Sequence, residues 1–291
     1  MEELHKPVLL SEVLEMLQPK LGESYLDLTA GYAGHASKIL DVTRNYKESV
    51  LVDRDSFAVG FLRGEYKSEP VKIVNDDFYS AALQEIECGK KFDMILADFG
   101  VSSPQLDNED RGFSFSKDGP LDMRMDQTQK LDAWTIVNKW SERELAEIFV
   151  KYGEEKSGFA KMMAREIVHG RPWNGTKELA DMIKSKARFS KTHPATRIFQ
   201  AIRIVVNDEL AEIEKTLPIL PKLLKKDGRL ALITFHSLED RIVKNFFKEA
   251  SGFGEESELE ILTKSPIIAE EQELVINPRA RSAKLRVAKK M

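Results

Sequence analysis

Short apolar runs alternate with helical patterns along the first hundred residues of the chain. The runs cover residues 25–30, 49–53, 71–78 and 92–101. Strands that alternate with helices form a parallel sheet, and the fourth run is apolar almost throughout, as expected of a strand buried on both faces. The sequence therefore predicts an α/β fold built on an open parallel sheet.

A fifth strand of this type comes late in the chain. Residues 227–235, DGRLALITF, form it, and Gly228 is expected to end the preceding helix. Residues 258–262 and 283–288 are candidates for closing strands. About 130 residues separate the fourth and fifth strands, whereas a crossover within one sheet needs only a helix and two loops. Most of this interval is therefore surplus to the sheet.

The surplus interval is helical in character. Ser141 followed by Glu144 is a capping box that opens an amphipathic stretch, SERELAEIFVKY. We expect an inserted helical subdomain at residues 106–200. The main domain is then discontinuous and consists of residues 1–105 and 201–291.

The composition excludes several classes of protein. Among 291 residues there is one cysteine, Cys88, which excludes an intramolecular disulfide and a cysteine-based zinc knuckle and points to a reducing, cytoplasmic compartment. The histidines show no metal-ligand spacing, so we expect no metal site. No apolar run reaches the ~18 residues that a membrane span needs.

Glycines and carboxylates collect where the predicted strands end, which is the edge at which open parallel sheets bind ligands. Gly31 and Gly34 follow the first strand, Asp53 ends the second and Asp98 ends the fourth. Phe78 follows the third strand, where an aromatic ring could cover a base. Each residue alone could belong to a turn or a helix cap, but four such strand ends in register favour a ligand site.

The first loop argues against a dinucleotide ligand. The sequence AGYAGHA does not give the G-x-G-x-x-G pattern that cradles a dinucleotide pyrophosphate. Asp53 is placed to accept hydrogen bonds from two ribose hydroxyls. An adenosyl ligand without pyrophosphate is indicated, and S-adenosylmethionine fits that description.

Six stretches of the chain are long and idiosyncratic. They are HKPVLLSEVLEML, DLTAGYAGHASKIL, DFGVSSPQLDNEDRGFSFSKDGPLDMRMD, HPATRIFQAIRIVVNDEL, FHSLEDRIVKNFF and NPRARSAKLRVAKK. Together they resemble the bacterial ribosomal RNA small subunit methyltransferase H family. The resemblance implies a class I, Rossmann-like methyltransferase sheet with an inserted helical subdomain. It also implies methyl transfer from S-adenosylmethionine to the exocyclic N4 amine of a cytidine in the decoding region of 16S ribosomal RNA.

The resemblance assigns most of the cofactor contacts. With Gly31, which the loop pattern indicates, they fall on Ala33, Gly34, His35, Asp53, Phe78, Asp98 and Gln105. Tyr32 and Ala33 depart from the longer glycine-rich loop usual in the family. Ala33 is expected to replace glycine only where its φ is negative.

Three residues are candidates for the chemistry at the amine. Asp98 could orient the amine or take its proton, or it could contact only the cofactor. His236, after the fifth strand, has the ordinary histidine pKa near 6.5 that suits a general base, although Ser237 with Asp240 could make this segment a plain helix cap. Asn207 could hydrogen-bond the target base.

The formal charge of −4 at pH 7 hides an uneven distribution of charge. Residues 156–206 carry a net charge of +8 and residues 277–291 carry +6. A charged run is often only a solvated surface, but within these motifs it favours RNA contact. The candidate RNA contacts are Lys184, Lys186, Arg188, Lys191, Arg197, Arg203, Arg279 and Arg281, with Arg286 also favoured and Trp173 and Phe189 as stacking platforms or core residues.

Two rival functions remain open at this point. One is an amino-methyltransferase that acts on DNA, another nucleic acid or a small molecule. The other is a ribosome assembly factor that binds the cofactor without catalysis. The expected partner is 16S rRNA within the small ribosomal subunit, and a homodimer is left open.

Overall fold

The computed structural model describes residues 6–187, 193–252 and 257–291. Its strands are β1 (Tyr25–Asp27), β2 (Val50–Asp53), β3 (Lys72–Asn75), β4 (Phe92–Asp98), β5 (Leu224–Thr234), β6 (Leu259–Ile261), β7 (Ile267–Ile268) and β8 (Lys284–Lys290). The first helices are α1 (Leu10–Leu17), α2 (Gly34–Thr43), α3 (Ser56–Glu65), α4 (Phe78–Glu87) and α5 (Ser103–Asp107). The later ones are α6 (Ala133–Lys139), α7 (Glu142–Lys151), α8 (Ser157–His169), α9 (Thr176–Lys186), α10 (Ala195–Asn207), α11 (Glu209–Thr216), α12 (Ser237–Ala250) and α13 (Glu271–Ile276). Three 3₁₀ helices cover Glu109–Arg111, Leu217–Leu223 and Pro278–Ser282.

The chain forms two compact units. The first contains Met1–Gly100 and Leu210–Met291, and the second contains Val101–Glu209. The predicted insert, residues 106–200, lies within the second unit. Its assignment as an RNA-binding domain stays a prediction.

The sheet of the first unit has the order β3-β2-β1-β4-β5-β8-β6, and β7 pairs with β8. Strands β1 to β5 pair in parallel, and β8 pairs antiparallel with β5, β6 and β7. The strand order reverses at β1 and β4, which creates a crevice at their carboxyl ends. The predicted α/β, Rossmann-like fold is confirmed, and so are the two closing strands.

Both faces of this sheet are covered by helices. Alternate residues along each central strand enter different cores, so Met94 and Leu96 pack with α1, α2 and α3, whereas Ile95 and Ala97 pack with α4 and α12. Strands buried on both faces read as continuous apolar runs, which is why the sequence revealed them.

The prediction that Gly228 ends a helix is wrong, because Gly228 lies inside β5. Between the pairs Phe92–Leu224 and Met94–Arg229 the register of β4 and β5 shifts. A Cβ on Gly228 would lie 2.9 Å from the Lys225 carbonyl oxygen and 3.1 Å from those of Asp93 and Phe92. Glycine is needed here for close backbone approach at the irregularity.

The second unit is built on its own helical core. Its buried residues come from α6 to α10 and from the loop before α6, and they include Phe149, Met163 and Ile202. The predicted capping box at the start of α7 is confirmed, since Ser141 and Glu144 exchange both hydrogen bonds. Among the residues that the structure describes, no helix has the length and apolar content needed to cross a membrane.

The loop between α5 and α6 depends on a residue without a side chain. Gly112 has φ +68°, and a Cβ there would lie 2.0 Å from the Pro120 carbonyl oxygen. We expect Gly112→Ala to lower the free energy of unfolding by about 2–4 kcal/mol, through overpacking and left-handed strain. Thermal or denaturant unfolding measures this change.

Gly158→Ala is the matched control, because Gly158 lies in α8 of the same unit and nothing is within 4 Å of the added Cβ. Alanine favours a helix over glycine, so this variant should be as stable as the wild type or slightly more stable. Equal losses in the two variants would contradict the steric account.

Candidate active site

The loop after β1 is fixed by hydrogen bonds to β2. The Gly31 N–H donates to Asp53 Oδ2 over 2.8 Å, and the Ala30 N–H donates to the Val52 carbonyl over 2.8 Å. Ala33 is the N-cap of α2 with φ +62°. The condition set for Ala33 to replace glycine, a negative φ, is therefore not met. The turn requires a left-handed residue immediately before α2, and alanine adopts that conformation at a cost of about 1–2 kcal/mol.

Asp53 is oriented by two backbone groups. Its Oδ2 accepts from Gly31 and its Oδ1 accepts from the Asp55 N–H over 2.8 Å. Each carboxylate oxygen retains a further lone pair, so two hydroxyls of a ribose could still be bound. Burial raises the pKa of Asp53 to about 6, although both backbone hydrogen bonds lower it. The arrangement fits the predicted contact with an adenosyl group.

Phe78 begins α4 and is half-buried. Its ring lies 5.7 Å from the ring of Phe99, centroid to centroid. Asp77, which precedes it, caps α4 by accepting from the Ser80 N–H and the Ser80 hydroxyl, each over 2.8 Å. Asp77 therefore has a structural role, and Phe78 supplies a partly open aromatic surface at the end of β3.

Asp98 ends β4 and has an unusual environment. Its N–H donates to Thr29 Oγ1 over 2.6 Å, while its Oδ1 is buried and has no hydrogen-bond partner among the described residues. Burial raises the pKa of Asp98 well above its ordinary value, and the charges of Asp27 and Glu239 raise it further. A buried oxygen without a partner calls for a ligand donor, and the amine hydrogen of a substrate is such a donor.

Two neighbours of Asp98, Tyr25 and Asp27, were not among the predicted site residues. Tyr25 and Asp27 lie two residues apart on β1, so their side chains share one face of the sheet. There the Tyr25 hydroxyl donates to Asp27 Oδ2 over 2.7 Å. Asp27 Oδ1 accepts from the Thr29 N–H over 3.1 Å. Burial raises the pKa of Asp27 to about 7, and the charge of Asp53 adds to the increase. The period-two spacing was the signal available for this pair.

His35 is buried in the first turn of α2. Its Nε2 lies 2.9 Å from the Val8 carbonyl oxygen, and its Nδ1 lies 3.9 Å from Asp98 Oδ2. The ring is thus directed at Val8 and Asp98. The predicted cofactor contact of His35 remains a prediction.

His236 is the N-cap of α12 rather than a residue open to the crevice. Its Nδ1 accepts from the Glu239 N–H over 3.4 Å, and Glu239 Oε2 accepts in return from the His236 N–H over 3.3 Å and from the Phe235 N–H over 2.7 Å. His236 Nε2 lies 3.1 Å from Glu239 Oε1. The alternative cap of Ser237 with Asp240 is wrong, since the capping box is formed by His236 and Glu239. The cap occupies Nδ1, while the buried Nε2 makes no hydrogen bond among the described residues. The role of His236 as a general base stays a prediction.

Two predicted site residues belong to the second unit. Asn207 is buried, and its Oδ1 accepts from the Met125 N–H while its Nδ2 donates to the carbonyls of Met123 and Arg203. These bonds give Asn207 a structural role and weigh against the predicted contact with a base. Gln105 is also buried, and its Oε1 accepts from the Ser102 N–H over 3.0 Å in a capping box.

The basic residues predicted to contact RNA differ in their surroundings. Lys184 and Arg197 are exposed, while Lys186 pairs with Glu166 over 2.7 Å. Arg203 forms two 2.8 Å hydrogen bonds with Glu209 and so is engaged within its own unit. The other predicted contacts in this stretch, Arg188 and Lys191, lie outside the described residues, as does Phe189.

The prediction of RNA contact by Arg286 is wrong, and Trp173 takes the core position that was the alternative to a stacking platform. Trp173 is 7% exposed and packs in the core of the second unit, where its Nε1 donates to the Ile167 carbonyl. Arg286 is 8% exposed and its Nε donates to Asp240 Oδ1 over 2.7 Å. Both are structural residues. Arg279 and Arg281, in the 3₁₀ helix before β8, are exposed.

Asp27→Asn should reduce the pH dependence of stability. The folded state retains the Asp27 proton up to about pH 7, whereas the ordinary value is 3.8. Between pH 3.8 and about 7 the folded state thus binds more protons than the unfolded state. The free energy of unfolding therefore falls as pH rises through this range. From pH 5.5 to 8 this group should account for about 2 kcal/mol of that fall.

Thermal denaturation at the two pH values measures the effect, and the exposed Asp41→Asn on α2 serves as the control. The difference in Tm between pH 5.5 and pH 8 should shrink in Asp27→Asn and stay at the wild-type value in Asp41→Asn. The same difference in all three proteins would contradict the buried proton.

Comparison with known proteins places this site in a family. Residues 2–291 match the model of the MraW methylase family. The chain is 47% identical to ribosomal RNA small subunit methyltransferase H of Trichormus variabilis, with 98% of this chain and 92% of the relative covered. It is 45% identical to the protein of the same name from Acidobacterium capsulatum, with 99% of each chain covered.

Among solved structures, an rRNA methylase from Streptococcus thermophilus is similar with a TM-score of 0.44 and 8% identity, covering 97% of this chain and 93% of that one. The family match covers nearly the whole sequence, and the resemblance found in the motifs is confirmed. The chain belongs to the MraW methylase family.

Proposed function

We propose that this protein transfers a methyl group to the exocyclic N4 amine of a cytidine in the decoding region of 16S rRNA, within the small ribosomal subunit and in the cytoplasm. The observation that carries the proposal is the match along nearly the whole chain to relatives named ribosomal RNA small subunit methyltransferase H. The predicted enzyme class, a methyltransferase that uses S-adenosylmethionine, follows from membership in the methylase family.

The residues at the carboxyl edge of the sheet fit that cofactor. Asp53 offers the ribose two carboxylate oxygens, oriented by the N–H groups of Gly31 and Asp55. Phe78, beside Phe99, offers an aromatic surface to the adenine. When bound, the cofactor supplies a methyl group on a positively charged sulfur. Two carboxylates at this edge, Asp27 and Asp53, favour such a positive ligand.

Asp98 performs the central step for the substrate. A cytosine amine is a weak nucleophile because its lone pair is delocalised into the ring. Asp98 Oδ1, buried and unpaired among the described residues, accepts a hydrogen bond from the amine and so directs the lone pair at the methyl group. Positioning of this kind can supply effective molarities of about 10⁵–10⁸ M.

The RNA is held by basic surface. The target base must leave its stack at a cost of a few kcal/mol, and contacts with the phosphate backbone offset that cost. Lys184 and Arg197 in the second unit and Arg279 and Arg281 before β8 are the exposed candidates.

The substrate is tested by methyl transfer from labelled cofactor to assembled small subunits, naked 16S rRNA and duplex DNA. We expect label at a cytidine N4 in rRNA or subunits and none in DNA. At saturating cofactor, Asp98→Asn should lose at least 100-fold in kcat. Near-normal turnover in this variant would exclude the proposed role of Asp98, and labelled DNA would contradict the substrate.

The RNA surface is tested by the double variant Lys184→Ala with Arg197→Ala. The plot of log Kd against log salt should lose about 1 to 1.5 in slope, because each contact with single-stranded RNA contributes about 0.7. Affinity for the cofactor should not change. Lys244→Ala with Lys248→Ala, on the exposed side of α12, removes the same charge elsewhere and should leave the slope unaltered. A slope equal to the wild type in the first variant would overturn the assignment.

A further inference from the structure

His35 is a buried histidine whose two ring nitrogens face different partners. Nε2 lies 2.9 Å from the Val8 carbonyl oxygen, which can only accept a hydrogen bond. Nε2 must therefore carry the hydrogen and donate it. In the neutral ring, Nδ1 then holds a lone pair, because one nitrogen donates while the other accepts.

The Nδ1 lone pair faces Asp98. Its distance to Asp98 Oδ2 is 3.9 Å, and the two side chains are 6% and 16% exposed. Hydrogen bonds of a catalytic group are often long before the substrate binds and shorten in the complex. Oδ2 of Asp98 is thus directed to His35, and Oδ1 is the oxygen without a partner among the described residues.

The other groups around Asp98 disfavour a negative charge on it. The charges of Asp27 on β1 and Glu239 on α12 raise the pKa of Asp98. The charge of Asp98 in turn raises the pKa of Tyr25 on β1. Beside these acidic groups, His35 on α2 offers the basic nitrogen at 3.9 Å. A proton on Asp98 Oδ2 can pass to His35 Nδ1 once the two atoms approach to hydrogen-bond distance.

We infer that Asp98 and His35 form a proton relay, in which His35 is the positioning residue and the final acceptor of the proton that the methylated amine loses. The inference rests on the proposed function. The amine attacks the methyl carbon, the carbon–sulfur bond breaks, and its electron pair stays on sulfur. The nitrogen, now cationic, releases one N–H proton to Asp98 Oδ1, and the Oδ2 proton passes to His35 Nδ1. Asp98 carries one proton before and after, and His35 becomes the cation that later returns the proton to water.

His35→Gln tests the relay because a glutamine amide can keep the hydrogen bond to the Val8 carbonyl while Nδ1 is lost. At saturating cofactor we expect kcat to fall about 10- to 100-fold. The acidic limb of kcat against pH should move to higher pH, since without Nδ1 the buried Asp98 must ionise before it accepts a proton. His169→Gln, exposed at the end of α8, should leave both kcat and the limb unchanged. An unmoved limb in His35→Gln would overturn the relay.

A second measurement needs neither substrate nor activity. Nitrogen-15 NMR of the wild type, without cofactor or RNA, should show His35 with hydrogen on Nε2 and an Nδ1 signal that shifts in Asp98→Asn. A neutral ring with hydrogen on Nδ1, or an Nδ1 signal insensitive to Asp98→Asn, would refute the relay even if His35→Gln did not fold. If the wild type failed to methylate rRNA, the proposed function would fail, while the NMR result would still decide the pairing.

Discussion

The site depends on the convergence of buried carboxylates at one edge of a parallel sheet. Asp27, Asp53 and Asp98 end β1, β2 and β4, and strand pairing fixes their spacing. Burial raises the pKa of all three, to about 7 for Asp27 and about 6 for Asp53. Asp27 and Asp53 thus hold protons that a positive ligand can displace, because a nearby positive charge favours the ionised form. Cofactor binding and proton release are therefore coupled at this edge.

The backbone around these carboxylates is arranged to keep their orientation. Asp53 accepts from Gly31 and Asp55, Asp27 accepts from Thr29, and the N–H of Asp98 is bound by the Thr29 hydroxyl. The left-handed Ala33 lets the chain enter α2 directly after this loop. The first turn of α2 then carries His35, whose Nδ1 lies 3.9 Å from Asp98 Oδ2.

The sequence predicted those parts of the fold that depend on local periodicity. Doubly buried strands gave apolar runs, and the capping box at Ser141 and Glu144 lies within one turn of a helix. The polar ends of the strands followed from the same pattern, so the positions of Asp53 and Asp98 at strand ends were predictable from the sequence.

The roles of residues whose partners are distant in the sequence could not be predicted in this way. Asn207 looked available to a base, but its amide is satisfied by a loop more than 80 residues away in the chain. Arg286 stands in a basic segment yet pairs with Asp240, and His236 is bound by its own helix cap. The role of a polar residue is set by its partners, and periodicity gives no information about partners that are remote in sequence.

The central claim is that this chain methylates one cytidine of 16S rRNA, with Asp98 receiving the amine. Mass-spectrometric mapping of 16S rRNA from cells that carry the wild-type gene, the Asp98→Asn gene or no gene tests it most directly. The account predicts an N4-methylated cytidine in the decoding region with the wild-type gene alone. The same methylation in all three strains, or in the strain with Asp98→Asn at the wild-type level, would contradict it.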